Sequence, residues 1–140
     1  MKFYMSGEVD GKVGDIFGKL VNEIKPKLKT LEDRDYGGEV DDLGIIPVII
    51  DPRMGLLEKG FFKERRLFKR KAKEADFRLW IDFDKFYNAD YEKKKLLILD
   101  NIIRSIKILG EKAKKDFDEE KLINDIYNLF DIDENKLKGL

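Results

Sequence analysis

Residues 75–109 read ADFRLWIDFDKFYNADYEKKKLLILDNIIRSIKIL, and within them the hydrophobic period changes once, from two to 3.6. Phe77, Leu79, Ile81 and Phe83 alternate with Arg78, Trp80 and Asp82, the pattern of a strand with one buried face. After a polar joint from Asp84 to Asp90, Leu96, Leu99, Ile102, Ile103, Ile106 and Leu109 recur at helical spacing. The spacing predicts a helix from Tyr91 to near Lys114, capped by Asn88 or Asp90. At 1.5 Å per residue it would run about 35 Å, enough to cross a four-stranded sheet. A strand laid against such a helix is an α+β core, and it places no catalytic group inside.

Outward from this core, Lys2 to Ser6 reads as a first strand ended by Gly7, and Asp10 is the candidate cap of the helix that follows. Val13, Ile16, Phe17, Leu20, Val21, Ile24, Leu28 and Leu31 form its apolar stripe, with Pro26 expected to kink or divide it. Glu32 to Asp42 breaks all periodicity and reads as a loop. Leu43 to Ile50 is a β-branched apolar run, a strand buried on most of its surface, in which Pro47 suggests an edge or a bulge. Arg53 to Phe62 reads as a turn of helix around Leu56 and Leu57. Lys63 to Lys71 reads as a strand, turned by Ala72-Lys73-Glu74 into a hairpin with the strand at Phe77. Asp118 caps a last helix whose apolar face is Leu122, Ile123, Ile126, Leu129 and Phe130, with Phe117 placed to staple onto Leu122; the tail after Asp131 is expected to fray. The expected architecture is one domain, residues 1–140, with the order β-α-β-β-β-α-α. Its four-stranded sheet is expected to be mainly antiparallel, with the helices packed on one face.

The 140 residues carry 41% charged side chains, yet 29 basic and 29 acidic residues cancel, which argues against a general polyanion binder. There is no cysteine and no histidine, so disulfides, thiolate nucleophiles, the commonest general base and the commonest metal ligand are all missing. The reading is therefore of a protein that is not an enzyme and needs no cofactor or metal. No run approaches the ~20 apolar residues of a membrane span, and Met1 to Met5 is no signal peptide, so a cytoplasmic location is expected.

Four features invite a functional reading. Gly7, Gly11, Gly14 and Gly18 before Lys19 do not have phosphate-loop spacing, and small residues in a helical stripe permit close packing instead. The loop carboxylates Glu32, Asp33, Asp35, Glu39, Asp41 and Asp42 lack calcium-loop spacing; they are either a solvated loop or a surface that steers a basic partner. From Lys59 to Lys73 there are eight basic residues and one glutamate. Lys63, Arg65, Arg66, Lys69, Arg70 and Lys71, interleaved with Phe61, Phe62 and Phe68, could hold a phosphate backbone or simply guard an exposed strand. Trp80 falls on the less apolar sheet face beside Arg78 and Asp82, either an exposed anchor or covered by another segment. Asp82, Asp84 and Asp90 are better explained as caps and turns than as a catalytic pair.

The segments FYMSGE (Phe3 to Glu8), FRLWID (Phe77 to Asp82), FYNAD (Phe86 to Asp90) and IIRSIKIL (Ile102 to Leu109) together resemble the Imm44 group of bacterial immunity proteins. These are small cytoplasmic proteins of polymorphic toxin systems. The resemblance implies a protein that binds a cognate toxin domain and blocks it. It supplies no contact motif, so the acidic loop and Trp80 are assigned as the partner-binding residues from their own chemistry. A nuclease with a basic substrate groove is the toxin class this surface suits; the basic hairpin is the contact if the toxin domain is acidic. The alternative function is a small nucleic-acid-binding module using that hairpin.

Overall fold

A computed structural model describes residues 1–54, 65–69, 73–113 and 116–140. The elements are β1 (Lys2–Met5), β2 (Glu8–Val9), α1 (Gly14–Lys29), β3 (Asp42–Ile49), a single 3-10 turn (Pro52–Met54), β4 (Arg65–Lys69), β5 (Glu74–Trp80), α2 (Phe83–Asn88), α3 (Tyr91–Ala113), α4 (Glu119–Phe130) and α5 (Glu134–Lys138). The reading around Leu56 and Leu57 falls outside the described residues.

The fold is α+β, but the sheet is mostly parallel, which corrects the antiparallel expectation. Its order is β1-β3-β5-β4, with β2 continuing the β1 edge along β3. β1, β2 and β5 all run parallel to β3, and among the described strands only the β4–β5 pair is antiparallel. The physical reason lies in the connections. α1 carries the chain back along the sheet between β2 and β3, so β3 starts in the same direction as the strands before it, whereas a short turn can join only antiparallel neighbours. The unbroken apolar run of β3 is the signature of a central parallel strand, flanked on both sides and covered on most of its surface.

Pro47 sits in this central strand, not at an edge. The carbonyls of Ile45 and Ile49 accept from the N–H groups of Ser6 and Asp10, so by alternation Pro47 faces the same side. There its missing N–H falls at the break between β1 and β2, where little of the ladder is lost. Pro26 likewise leaves α1 a single element: it lies on the exposed face, as does Asn22, the residue whose carbonyl a Pro26 N–H would otherwise have bonded.

One sheet face presents Phe3, Met5, Leu43, Ile45, Ala75, Phe77 and Leu79, all buried in a cluster with Leu20, Ile24, Ile98, Ile102, Ile106, Leu122 and Ile126 from the helices. Tyr4, Ile46, Val48 and Trp80, at the alternate positions, contribute nothing to that cluster. Each fully buried Leu, Ile or Phe contributes roughly 1.5–3 kcal/mol, opposed by ordering entropy. Gly7 is required where the Phe17 ring of α1 lies against the strand edge, because a Cβ there would overlap the ring.

Three local expectations change. β5 ends at Trp80, and Asp82 caps the short helix α2 by accepting from the Lys85 N–H at 2.8 Å, so Phe83 is buried as a helical residue. Asp10 does not cap α1: its carboxylate accepts from the Lys12 N–H at 2.9 Å, and the helix begins later, at Gly14. The tail does not fray: Asp133 caps α5 and Leu137 is buried in the core. The caps Asp90 and Asp118 are as read, each accepting from the backbone N–H three residues on.

Candidate functional site

The segment Glu32 to Asp42 is a loop held in one shape. Tyr36 and Val40 are buried in the core, at 3% and 5% exposure. The Tyr36 hydroxyl donates to Asp125 Oδ2 at 2.7 Å, and Arg34 Nη1 reaches the same oxygen at 3.1 Å. Burial first, and then the Asp125 carboxylate, push the Tyr36 phenol far above the usual tyrosine range, so it stays a donor. The Tyr36 carbonyl accepts from the Asp118 N–H at 2.7 Å, and Lys121 Nζ donates to the Asp35 carbonyl at 2.8 Å. Gly37 and Gly38 have φ of 70° and 79°, and a Cβ on Gly37 would overlap the Asp116 carbonyl oxygen. At its end, the Asp41 and Asp42 N–H groups donate to the Lys73 carbonyl.

This frame sorts the six loop carboxylates. Asp33, Asp35, Glu39 and Asp41 are exposed. Asp35 also accepts from the Gly37 N–H at 2.8 Å, forming the turn. Glu32 and Asp42 are half-buried. Glu32 is engaged with the sheet: its Oε1 accepts from the Phe3 N–H at 3.2 Å, covering an outward-facing donor of the β1 edge.

Trp80 does not join this surface. Asp42 pairs with Glu74 at one end of the sheet and Val48 with Trp80 at the other, a separation of about 20 Å at ~3.3 Å per residue. Trp80 is half-buried on the face away from the core cluster, and its carbonyl accepts from Arg104 Nη1 at 3.1 Å. Beside it, Arg78 makes a two-pronged bond to Glu8, with Nε to Oε1 at 2.8 Å and Nη2 to Oε2, spanning β3 from β5 to β2. Val48, in register between Glu8 and Trp80, is fully buried.

Sequence reasoning missed three residues of this second face. The register places Glu74 beside Asp42, and Tyr4 and Asp76 on either side of Gly44. The alternation of Glu74, Asp76, Arg78 and Trp80 was the available signal. In the basic stretch, Lys63, Arg70 and Lys71 lie outside the described residues, as do Phe61 and Phe62. Arg65, Arg66, Leu67, Phe68 and Lys69 are placed only as β4, in register with Arg78 to Glu74.

The carboxyl end of a parallel sheet is where ligands usually bind, and here acidic groups collect: Asp10, Asp51, Asp82 and Asp84. They are engaged with the protein itself. Asp51, with its side chain 4% exposed, accepts from Arg53 Nε at 2.7 Å and lies 3.6 Å from Lys12 Nζ, while Arg53 Nη2 reaches Asp84 at 2.9 Å. The bond from the Arg53 side chain holds the Asp51 carboxyl below the usual carboxylate range. Among the described residues no group of three or more carboxylates is placed to hold a metal ion. A depression of about 470 Å³ between α3 and α4 is walled by Leu96, Leu99, Phe130 and Ile132; Lys95 at its rim is bound to Glu23 at 2.7 Å. No described helix is long and apolar enough to cross a membrane.

No curated protein and no solved structure matches this chain. A family does: residues 1–132 match Immunity protein 44. With nearly the whole sheet-and-helix framework inside that match, the chain belongs to the Immunity protein 44 family.

Proposed function

We propose that this protein binds a cognate toxin domain and neutralises it by occupying the toxin's working surface, with no reaction of its own. Family membership supports the immunity role. The observation that carries the mode of action is the rigid acidic loop, with Asp33, Asp35, Glu39 and Asp41 exposed on a frame anchored by buried Tyr36 and Val40. A preformed surface loses little entropy on docking, and its carboxylates speed encounter with a basic partner. Asp42 and Glu32 belong to the frame of that surface more than to its contact area. Trp80, at the far end of the sheet, would reach the same toxin only across a broad interface. A nuclease fits best, because a groove built for phosphates attracts carboxylates. The protein would act where the toxin is made, in the cytoplasm.

The test is co-expression with candidate toxin domains, beginning with any encoded by the adjacent genes. Restored growth, together with a complex that co-purifies, is the expected result. Growth arrest at matched expression would defeat the reading. The nucleic-acid alternative predicts salt-dependent binding to oligonucleotides that is lost when Arg65, Arg66, Lys69 and Arg70 become Ala; no binding at low salt eliminates it.

A further inference from the structure

We propose that the sheet face around Gly44 seats one basic side chain of the protein partner, a lysine or arginine, between the Tyr4 ring and the Asp76 carboxylate. The inference rests on the toxin-binding reading and locates its anchor beside the loop, on the strands themselves.

Parallel register puts Tyr4, Gly44 and Asp76 in one row across β1, β3 and β5. Neighbouring strands are about 4.8 Å apart, so the Asp76 carboxylate, reaching over the glycine, stands about one strand spacing from Tyr4, close enough for one cation resting above them to meet both. Gly44 forms the floor: a Cβ there would overlap Asp76 Oδ1, so the carboxylate lies over the glycine. Tyr4 is 52% exposed, the highest value among the large hydrophobic residues described. A ring beside a carboxylate recognises a cation by its face and by charge together.

Charge accounting on this face singles out Asp76. In the next row, Lys2 stands in register with Asp42 at the β1 end, a cation beside that carboxylate. Arg78, the next same-face residue on β5, is committed to Glu8. Asp76 has no ion pair among the described residues. Asp42 lies two residues from Gly44, and exposed Asp41 precedes it, so the loop carboxylates extend the same negative field to this row.

The test uses the full chain and the toxin domain selected by the co-expression test, with binding measured by calorimetry for Tyr4→Ala, Asp76→Asn and the control Tyr87→Ala, which is 50% exposed on α2. Tyr4→Ala and Asp76→Asn are each expected to weaken Kd about tenfold with unchanged melting temperature, and the control to leave it unchanged. Both within twofold of the parent, with the toxin still bound, would overturn the proposal while leaving the immunity reading intact. If the parent chain does not bind the toxin, that reading falls, and a capped hexa-arginine peptide decides the site by amide chemical shifts. Shifts centred on Gly44 and lost in Asp76→Asn support the seat; shifts elsewhere, or none, overturn it.

Discussion

Tyr36 is where the stability of the fold and the shape of the acidic loop meet, so its replacement tests both. Tyr36→Phe keeps the buried ring and removes only the hydroxyl that donates to Asp125 Oδ2 at 2.7 Å. A hydrogen bond to a charged acceptor contributes about 1.5–3 kcal/mol. Asp125 is 16% exposed and keeps Arg34 at 3.1 Å, so the low end applies, about 1.5 kcal/mol. With a urea slope of about 2 kcal/mol per molar, the midpoint should fall by about 0.8 M. Tyr36→Ala removes the ring as well and should cost about 3–5 kcal/mol, with amides of residues 33–41 exchanging faster than those of β3. The alkaline limb gives a second readout. The folded phenol ionises above its unfolded range, so its contribution is complete below about pH 10 and is lost as the pH rises beyond it. Tyr36→Phe should therefore lose less stability than the parent between neutral and strongly alkaline pH. A urea midpoint unchanged by Tyr36→Phe, or loop exchange unchanged by Tyr36→Ala, would refute the view that this residue holds the loop.

Three further substitutions probe the frame. Asp100 on α3 is half-buried, and burial raises its carboxyl above the ordinary range, so its charge costs stability above that raised value and nothing below the unfolded range; Asp100→Asn should raise the melting temperature near pH 7 and leave it unchanged near about pH 3. Glu8→Ala removes the carboxylate from Arg78, whose side chain is 7% exposed, and should cost about 2–3 kcal/mol in urea unfolding, while Glu8→Leu with Arg78→Leu recovers most of it. Gly37→Ala forces a Cβ into a left-handed position against the Asp116 carbonyl and should cost about 2 kcal/mol or more, against little change for Gly18→Ala, which meets open space.

What could be read in the residues follows the range of the interactions concerned. The helices α1, α3 and α4 were legible because each carries its own stripe, and Asp90 and Asp118 sit at the caps their side chains predict. β5 was legible from Phe77 and Leu79 against Arg78 and Trp80. Strand direction was not, because it depends on where the connections return, and Pro47 looked like an edge signal when it fills a break in the neighbouring edge. The run Leu43 to Ile50 was itself a parallel-sheet signal. α2 and α5 were missed because each is too short to show a period, although Asp82 and Asp133 cap them. In the site, the loop carboxylates were legible as a cluster. That Glu32 would bond the Phe3 N–H, and that Tyr36 would reach Asp125 across 89 residues, depended on tertiary packing. Tyr4, Gly44 and Asp76 come together only through the register of three strands.

The most direct test of the binding mode is the association rate of the purified chain with its toxin domain as salt rises from about 50 to 200 mM, for the parent and for a variant with Asp33, Asp35, Glu39 and Asp41 changed to amides. A rate that falls steeply with salt for the parent, and starts low and stays flat for the variant, is the predicted result. Equal rates for both proteins at every salt concentration, or no complex at all, would contradict it.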